Sequence, residues 1–117
     1  MAEQYDYVIV GAGTAGCVLA NRLTACGKYT VCLLEAGPSD WNPMIHIPAG
    51  FMKTIANPSV NWLYQSEPCP GTNGRTIPMP RGKVIGGSSS INGLIFSRGQ
   101  KMDFDVWAQK GNRGWSY

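Results

Sequence analysis

The sequence has few charged residues, one histidine and no long apolar run. Only 15% of its 117 residues are charged, the formal net charge is +3, and the basic residues are scattered along the chain. A nucleic-acid partner is therefore not expected, because proteins that bind nucleic acid concentrate Lys and Arg on one surface. No apolar stretch reaches the roughly 20 residues that a membrane-spanning helix needs, so no membrane span is predicted.

The sequence also lacks the residue clusters that bind metal ions. The four cysteines, Cys17, Cys26, Cys32 and Cys69, form no C-x-x-C pair, and His46 is the single histidine. Cys17 and Cys32 fall within apolar segments that we expect to be buried, where a free cysteine behaves as a small hydrophobic residue. A lone histidine without a neighbouring acid or nucleophile is more often structural than catalytic, so His46 receives no catalytic role.

The first 35 residues have the pattern of a strand, a turn, a helix and a second strand. The apolar run Tyr5–Val10 predicts a short buried strand. Apolar residues then recur at helical spacing from Val18 up to Gly27, which is a plausible stop signal. The run Thr30–Leu34 predicts the second strand. The fold class predicted from this pattern is α/β.

The turn after the first strand contains G-x-G-x-x-G, formed by Gly11, Gly13 and Gly16. Gly11 permits a tight turn, Gly13 lets the main chain approach a diphosphate, and Gly16 lets the helix pack closely on the strands. Glu35 follows the second strand, where a carboxylate can accept both hydroxyls of a ribose. The pattern predicts a Rossmann-like dinucleotide site; the alternative is a glycine-rich turn in an ordinary parallel sheet.

Residues 38–80 predict irregular structure. Three prolines between Gly37 and Gly50 exclude a continuous helix or an inner strand, so we expect an extended surface loop that forms part of a lid. Phe51–Ile55 predicts a short helical turn. Trp62–Glu67 and Arg75–Met79 flank a segment dense in turn-forming residues and predict an irregular β-hairpin.

A second glycine-rich segment begins at Arg81. Gly86 and Gly87 can direct successive N–H groups into one concavity that binds an anion. The three serines that follow are good helix N-caps and can donate to phosphate oxygens, while Arg81 and Lys83 add positive charge. The segment predicts a second phosphate-facing turn at the start of a helix; a capped helix without a ligand is the alternative.

The run from Gly82 to Asp105 resembles the first signature of the glucose–methanol–choline (GMC) oxidoreductases, which are FAD-dependent. The matching positions are Gly82, Lys83, Gly86, Gly87, Ser88, Ser89, Ile91, Asn92, Phe96, Gly99 and Asp105. The spacing of Asn61-Trp62 and Glu67-Pro68 is also similar to that in bacterial choline-dehydrogenase-like members. The resemblance extends over nearly the whole chain.

This resemblance implies two groups of FAD-binding residues. The first group would hold the diphosphate and the adenosine ribose and comprises Gly11, Gly13, Thr14, Ala15, Gly16, Glu35 and Ala36. The second group would approach the adenine, the diphosphate and the flavin in turn and comprises Val84, Gly86, Gly87, Ser88, Ser89, Asn92, Gly93, Leu94 and Ile95. Ile91 stands where some members carry a histidine bonded to the flavin, which implies non-covalent FAD.

The resemblance also implies oxidation of a small-molecule alcohol by hydride transfer to the flavin. The catalytic pair of the family lies far toward the C-terminus, so no catalytic residue is assigned in this sequence. A hydroxynitrile-lyase-like protein, and a non-catalytic chain that binds FAD and needs a complementary chain, are alternatives. NAD is the alternative cofactor, but it leaves the segment Gly82–Asn92 without a purpose.

We therefore expect the N-terminal part of an FAD-binding domain without its substrate domain. Residues 1–37 would form the nucleotide-binding unit, 38–80 the lid and hairpin, and 81–117 the second FAD-contacting motif and a helix. A complete dinucleotide-binding domain usually needs more than these 117 residues, so the remainder of the same enzyme is the expected partner. The first strand begins too early for a signal peptide, and we expect a cytoplasmic location.

Overall fold

In the computed structural model, residues 3–117 are described, and they combine short helices with two small β-sheets. Strands β1 (Tyr7–Val10) and β2 (Val31–Leu34) pair in parallel, in a register that runs from Tyr7 opposite Val31 to Val10 opposite Leu34. Helix α1 (Thr14–Thr24) connects them. The predicted order of strand, turn, helix and strand is therefore present.

Side chains and a glycine define the ends of this βαβ unit. The Asp6 carboxylate accepts hydrogen bonds from the Thr30 backbone N–H at 2.7 Å and the Thr30 hydroxyl at 2.8 Å, which ties the start of β1 to the start of β2. After α1, Gly27 adopts φ +67° and donates its N–H to the Thr24 carbonyl at 2.9 Å. Gly27 is thus at the end of the helix, as its position in the sequence predicts.

The segment after β2 is more helical than expected, and the prediction of an extended loop there is wrong. It contains α2 (Pro43–His46), a 3-10 turn (Pro48–Gly50) and α3 (Phe51–Thr54). Asn42 caps α2 by accepting from the Met44 N–H at 3.0 Å. Proline is tolerated at the first position of a helix, because its missing N–H would have no partner there.

The β-hairpin is present but very short. Strands β3 (Tyr64–Gln65) and β4 (Pro78–Met79) pair in an antiparallel sheet of two residues each. An isolated antiparallel bridge between Asn61 and Gly82 extends the contact beyond the base of the hairpin. The hairpin therefore leads directly into the second glycine-rich segment.

The second glycine-rich segment does not start an α-helix, so the prediction of a helix start there is wrong. Gly87–Ser90 forms a 3-10 turn without a side-chain cap. Instead of capping N–H groups, the Ser89 hydroxyl donates to the Gly86 carbonyl and the Ser90 hydroxyl donates to the Ile85 carbonyl. The chain next becomes helical at α4 (Lys101–Gln109), where Gln100 and Asp103 form a capping box.

The compact core lies beneath the second glycine-rich segment, around Val60, Val84 and Ile91. The strands β1 and β2, which the sequence predicts to be buried, are instead largely exposed, with Val8 at 59% and Val10 at 84%. The sheet has only two strands in the described residues, so much of its apolar surface faces solvent. Likewise Cys17 and Cys32 are half-buried. No described helix is long and apolar enough to cross a membrane.

Candidate cofactor site

The two glycine-rich turns contact each other directly. The Gly86 N–H donates to the Ala12 carbonyl at 2.7 Å, and Gly13 and Gly86 form a parallel β-bridge. A Cβ atom at Gly87 would lie 2.8 Å from the Gly13 Cα atom, too close for any other residue. Segments that are more than seventy residues apart in the sequence therefore form one continuous surface.

The glycines of the first turn occupy three different environments. Gly11 has φ +96°, a conformation that favours glycine. A Cβ atom at Gly16 would overlap the Gly11 carbonyl oxygen and lie 3.3 Å from Ile9 Cγ2, so helix and strand approach each other closely there. A Cβ atom at Gly13 would have no atom within 4 Å. Gly13 therefore faces open space, where a ligand can approach the main chain.

Glu35 ties the first turn to the end of β2. One carboxylate oxygen accepts from the Ala12 N–H at 2.7 Å, and the other accepts from the Gly37 N–H at 2.9 Å. An ionised carboxylate offers about four lone-pair sites, so each oxygen retains capacity for a ligand hydroxyl. The carboxylate can therefore serve the turn and a ribose together.

The residues after Glu35 pack against the second glycine-rich segment. A Cβ atom at Gly37 would overlap the backbone of Lys83 and Val84, and the Ile85 N–H donates to the Pro38 carbonyl at 3.0 Å. Backbone contact this close requires glycine at position 37. It places the end of β2 beside the second turn.

A cavity of about 630 Å³ lies where these segments meet. Its lining includes six of the residues predicted to bind the cofactor: Gly11, Gly13, Glu35, Ala36, Gly87 and Ser88. Six further residues complete the lining: Val10, Leu34, Trp62, Tyr64, Arg81 and Gly82. Small-molecule and cofactor sites typically have volumes in this range.

The other predicted site residues lie around or outside this cavity. Thr14, Ala15 and Gly16 form the first turn of α1, which begins at the cavity. Val84 is fully buried in the core. Ser89, Asn92 and Leu94 line a separate crevice of about 30 Å³, while Gly93 and Ile95 line neither cavity and Ile95 is 88% exposed. The flavin-lining role of Asn92–Ile95 stays a prediction.

Two aromatic residues of the cavity lining escaped the sequence-based site prediction. The rings of Trp62 and Tyr64 stack with an interplanar angle of 4° and centroids 5.8 Å apart, and Lys83 Nζ lies 4.8 Å from the Trp62 ring centroid. The alternation of bulky and polar residues in Trp62–Glu67 was the available signal, although Leu63 between the two rings has φ +54° and is not extended. The aromatic pair offers a flat apolar surface beside Glu35.

The electrostatics at the start of α1, where the helix meets the cavity, favour an anion. Helix α1 has no acidic residue in its first turn and no side-chain cap at Gly13, so its first N–H groups have no partner within the helix. Arg81 adds a cationic side chain to the lining. No group of three or more His, Cys, Asp or Glu among residues 3–117 is arranged to hold a metal ion. His46 lies outside the cavity, bonded to the Asp40 carbonyl at 2.7 Å.

The fold and the cavity together define an α/β protein in which a glycine-rich strand–helix turn faces a ligand cavity. A family model described as GMC oxidoreductase matches residues 5–117. The chain therefore belongs to the GMC oxidoreductase family, and the resemblance seen in the sequence is confirmed.

Curated relatives are about half identical to this chain over the residues that align with it. An alcohol dehydrogenase [acceptor] from Pseudomonas putida is 50% identical over 113 residues, which are 97% of this chain and 20% of that protein. An oxygen-dependent choline dehydrogenase from Photobacterium profundum is 46% identical over 117 residues, which are 100% of this chain and 21% of that protein. The chain thus spans about a fifth of the length of these relatives.

Solved structures of similar proteins share the fold. Pyridoxine 4-oxidase from Mesorbium loti superposes with a TM-score of 0.78 at 38% identity, over 97% of this chain and 22% of that chain. A formate oxidase superposes with a TM-score of 0.75 at 35% identity, over 97% of this chain and 20% of that chain. Both proteins carry oxidase names.

Proposed function

We propose that the chain binds FAD in the 630 Å³ cavity, as the cofactor-binding part of an enzyme that oxidises an alcohol by hydride transfer to the flavin. The observation that carries this proposal is the contact between the two glycine-rich turns, from Gly86 to Ala12, at the edge of one cavity. Membership of the GMC family and relatives named alcohol and choline dehydrogenases support the reaction class. They favour an oxidoreductase over a lyase.

The diphosphate of FAD would lie over the start of α1. Gly13 leaves room for the diphosphate. The first N–H groups of the helix, from Thr14 to Gly16, would donate to the diphosphate oxygens at that end. Gly87 and Ser88 would approach the diphosphate from the other side of the cavity, and Arg81 would contribute positive charge. The bound FAD would supply the hydride acceptor.

The adenosine end would lie toward Glu35 and Ala36. The Glu35 carboxylate retains acceptor capacity for the ribose hydroxyls after its two bonds to the backbone. The stacked pair Trp62 and Tyr64 would pack against the adenine, because aromatic rings favour stacked contacts with flat aromatic partners. The flavin would extend toward Asn92–Ile95.

We also propose that the FAD is bound without a covalent link through Ile91. This residue is 3% exposed and packs with Val60 and Val84, and its side chain has no nucleophilic atom. FAD should therefore separate from the polypeptide on denaturation. An intact mass of the denatured chain that includes the mass of FAD would contradict this part of the proposal.

The fold is proposed to be an incomplete Rossmann-like FAD-binding domain in the cytoplasm, with divisions at residues 1–37, 38–80 and 81–117. The chain spans about a fifth of the length of the curated relatives. This supports a larger enzyme, the rest of which would supply the substrate site and the catalytic residues. The partners are then the remainder of that enzyme and a small-molecule alcohol.

Titration calorimetry and absorbance spectroscopy test the two parts of the proposal. In the calorimeter, FAD should bind saturably to the chain in a ratio of one to one. In the enzyme that contains the chain, an alcohol added without oxygen should bleach the flavin band near about 450 nm, because the flavin accepts the hydride. Absence of FAD binding would overturn the proposed cofactor. Binding with turnover but without bleaching would favour the lyase-like alternative.

A further inference from the structure

Asn61 is a fully buried polar residue that connects three segments next to the cavity. It is 2% exposed. Its Nδ2 donates to the Ile55 carbonyl at 2.5 Å, and its Oδ1 accepts from the Leu63 N–H at 3.0 Å and the Arg81 N–H at 2.9 Å. A buried side chain with three backbone partners is costly to replace, because each partner would lose its hydrogen bond.

The two bonds to Oδ1 hold Arg81, which lines the cavity, and Leu63, which lies between two residues that line it. Leu63 lies between Trp62 and Tyr64 and has φ +54°, an uncommon conformation for a residue other than glycine. Such a conformation persists only where the surroundings enforce it, and the bond from the Leu63 N–H to Asn61 is one such constraint. The backbone turn at Leu63 orients the two rings that stack.

The same amide oxygen aligns the hairpin with the second glycine-rich segment. Next to the bond from the Arg81 N–H, the Trp62 N–H donates to the Arg81 carbonyl at 2.9 Å and the Lys83 N–H donates to the Val60 carbonyl at 2.8 Å. The Asn61 side chain thus completes a short ladder between residues 60–62 and 81–83. This ladder fixes Trp62 and Arg81, which both line the cavity, next to each other.

We propose that Asn61 is a positioning residue that holds Trp62, Tyr64 and Arg81 in place to receive the adenosine diphosphate half of the cofactor. This inference rests on the proposed function, because it assigns the aromatic side of the cavity to the adenine. Asn61 does not line the cavity, so it acts only through its neighbours.

The test compares ADP binding by the full chain and three variants, using titration calorimetry. Asn61→Ala leaves the Leu63 and Arg81 N–H groups without their acceptor and should weaken ADP binding about tenfold. Asn61→Asp keeps an acceptor oxygen for both groups, and its protonated form, which burial favours, also keeps a donor for the Ile55 carbonyl, so it should stay within about threefold of the unmodified chain. Asn57→Ala is the matched control, since Asn57 Oδ1 bonds only to Ser59 within its own turn, and it should not change the affinity.

Nuclear magnetic resonance of the unmodified chain gives a second readout that does not depend on whether a variant folds. Addition of ADP should shift the Trp62 indole N–H signal and slow hydrogen exchange at the Leu63 and Arg81 amides. The inference is overturned if Asn61→Ala binds ADP normally, if Asn61→Asp is as weak as Asn61→Ala, if Asn57→Ala is equally weak, or if these signals do not respond. An unmodified chain that binds neither FAD nor ADP would instead overturn the proposed function.

Discussion

Gly13 and Gly16 are three residues apart, yet a side chain at each would meet different surroundings. At Gly13 a Cβ atom has no atom within 4 Å, whereas at Gly16 it overlaps the Gly11 carbonyl oxygen. A larger residue at position 13 would therefore meet only the proposed ligand, whereas a larger residue at position 16 would clash with the protein itself. The sequence motif alone assigns these tasks in general terms, but the distances show which glycine the fold requires.

Gly13→Val should leave the fold intact and weaken FAD binding at least about a hundredfold, because the side chain fills the space proposed for the diphosphate. Gly16→Ala should instead destabilise the chain by about 1–3 kcal/mol through overpacking. Urea denaturation and titration calorimetry separate the two effects. Gly71→Ala is the control, since its Cβ atom would lie 3.7 Å from Cys69 Sγ and away from the cavity lining. Stoichiometric FAD in Gly13→Val would contradict the proposed geometry.

Glu35 supports the turn and is proposed to bind the ribose. Glu35→Ala should lower both the free energy of unfolding and the FAD affinity, because the Ala12 and Gly37 N–H groups lose their acceptors at a cost of about 1–3 kcal/mol each when buried. Glu35→Gln keeps one acceptor oxygen and should lose less stability. Urea denaturation and calorimetry measure the two quantities. A Glu35→Ala chain with normal stability would show that the bonds to the turn contribute nothing.

At the scale of secondary structure, a link between Asp6 and Thr30 joins the starts of the two strands of the first sheet. The Thr30 N–H and hydroxyl donate to the carboxylate and hold the pKa of Asp6 below its ordinary value. Because the pKa is lower in the folded chain than in the unfolded chain, this link stabilises the fold above the unfolded pKa. Its contribution is lost as the pH falls through the lower, folded pKa.

Thermal denaturation from about pH 6 to pH 2, a range that spans the ordinary pKa of aspartate, tests this link. Asp6→Asn should lower the melting temperature slightly at neutral pH and reduce the difference between neutral and acidic pH. The effect should be small because Asp6 is exposed. Glu67→Gln removes an exposed acid in the hairpin and serves as the control. Identical pH profiles for Asp6→Asn and the unmodified chain would contradict the assigned role.

The short helices after β2 show why secondary structure there was hard to predict. The prolines that argue against a long helix are compatible with one-turn helices, because Pro43 occupies the first position of α2 and Asn42 caps it. An asparagine followed by proline is therefore also a helix-start signal. In the second glycine-rich segment Ser89 and Ser90 donate to preceding carbonyls, whereas Ser88 accepts from the Gly82 N–H, a choice between donor and acceptor roles that the sequence leaves open.

At the scale of the whole molecule, a large apolar surface remains open to solvent. Val8 is 59% exposed, Ile95 88% and Phe96 89%. Surfaces of this kind bind apolar dyes and promote association. The isolated chain should therefore enhance the fluorescence of the dye ANS in proportion to protein concentration, and the double variant Val8→Thr, Phe96→Ser should do so less. Fluorescence equal to that of the dye in buffer would contradict this prediction.

The sequence by itself determined the βαβ unit, the role of Gly11 in a tight turn, and membership of the GMC family. These features depend on local patterns and on residues at fixed spacing. The cavity lining beyond the motifs was decided only by the tertiary structure. Trp62 and Tyr64 reach the cavity through the hairpin and the bonds of Asn61, and the alternation in their segment indicates a strand and not a ligand. The exposure of β1 and β2 was also decided there, because burial depends on what packs against a strand.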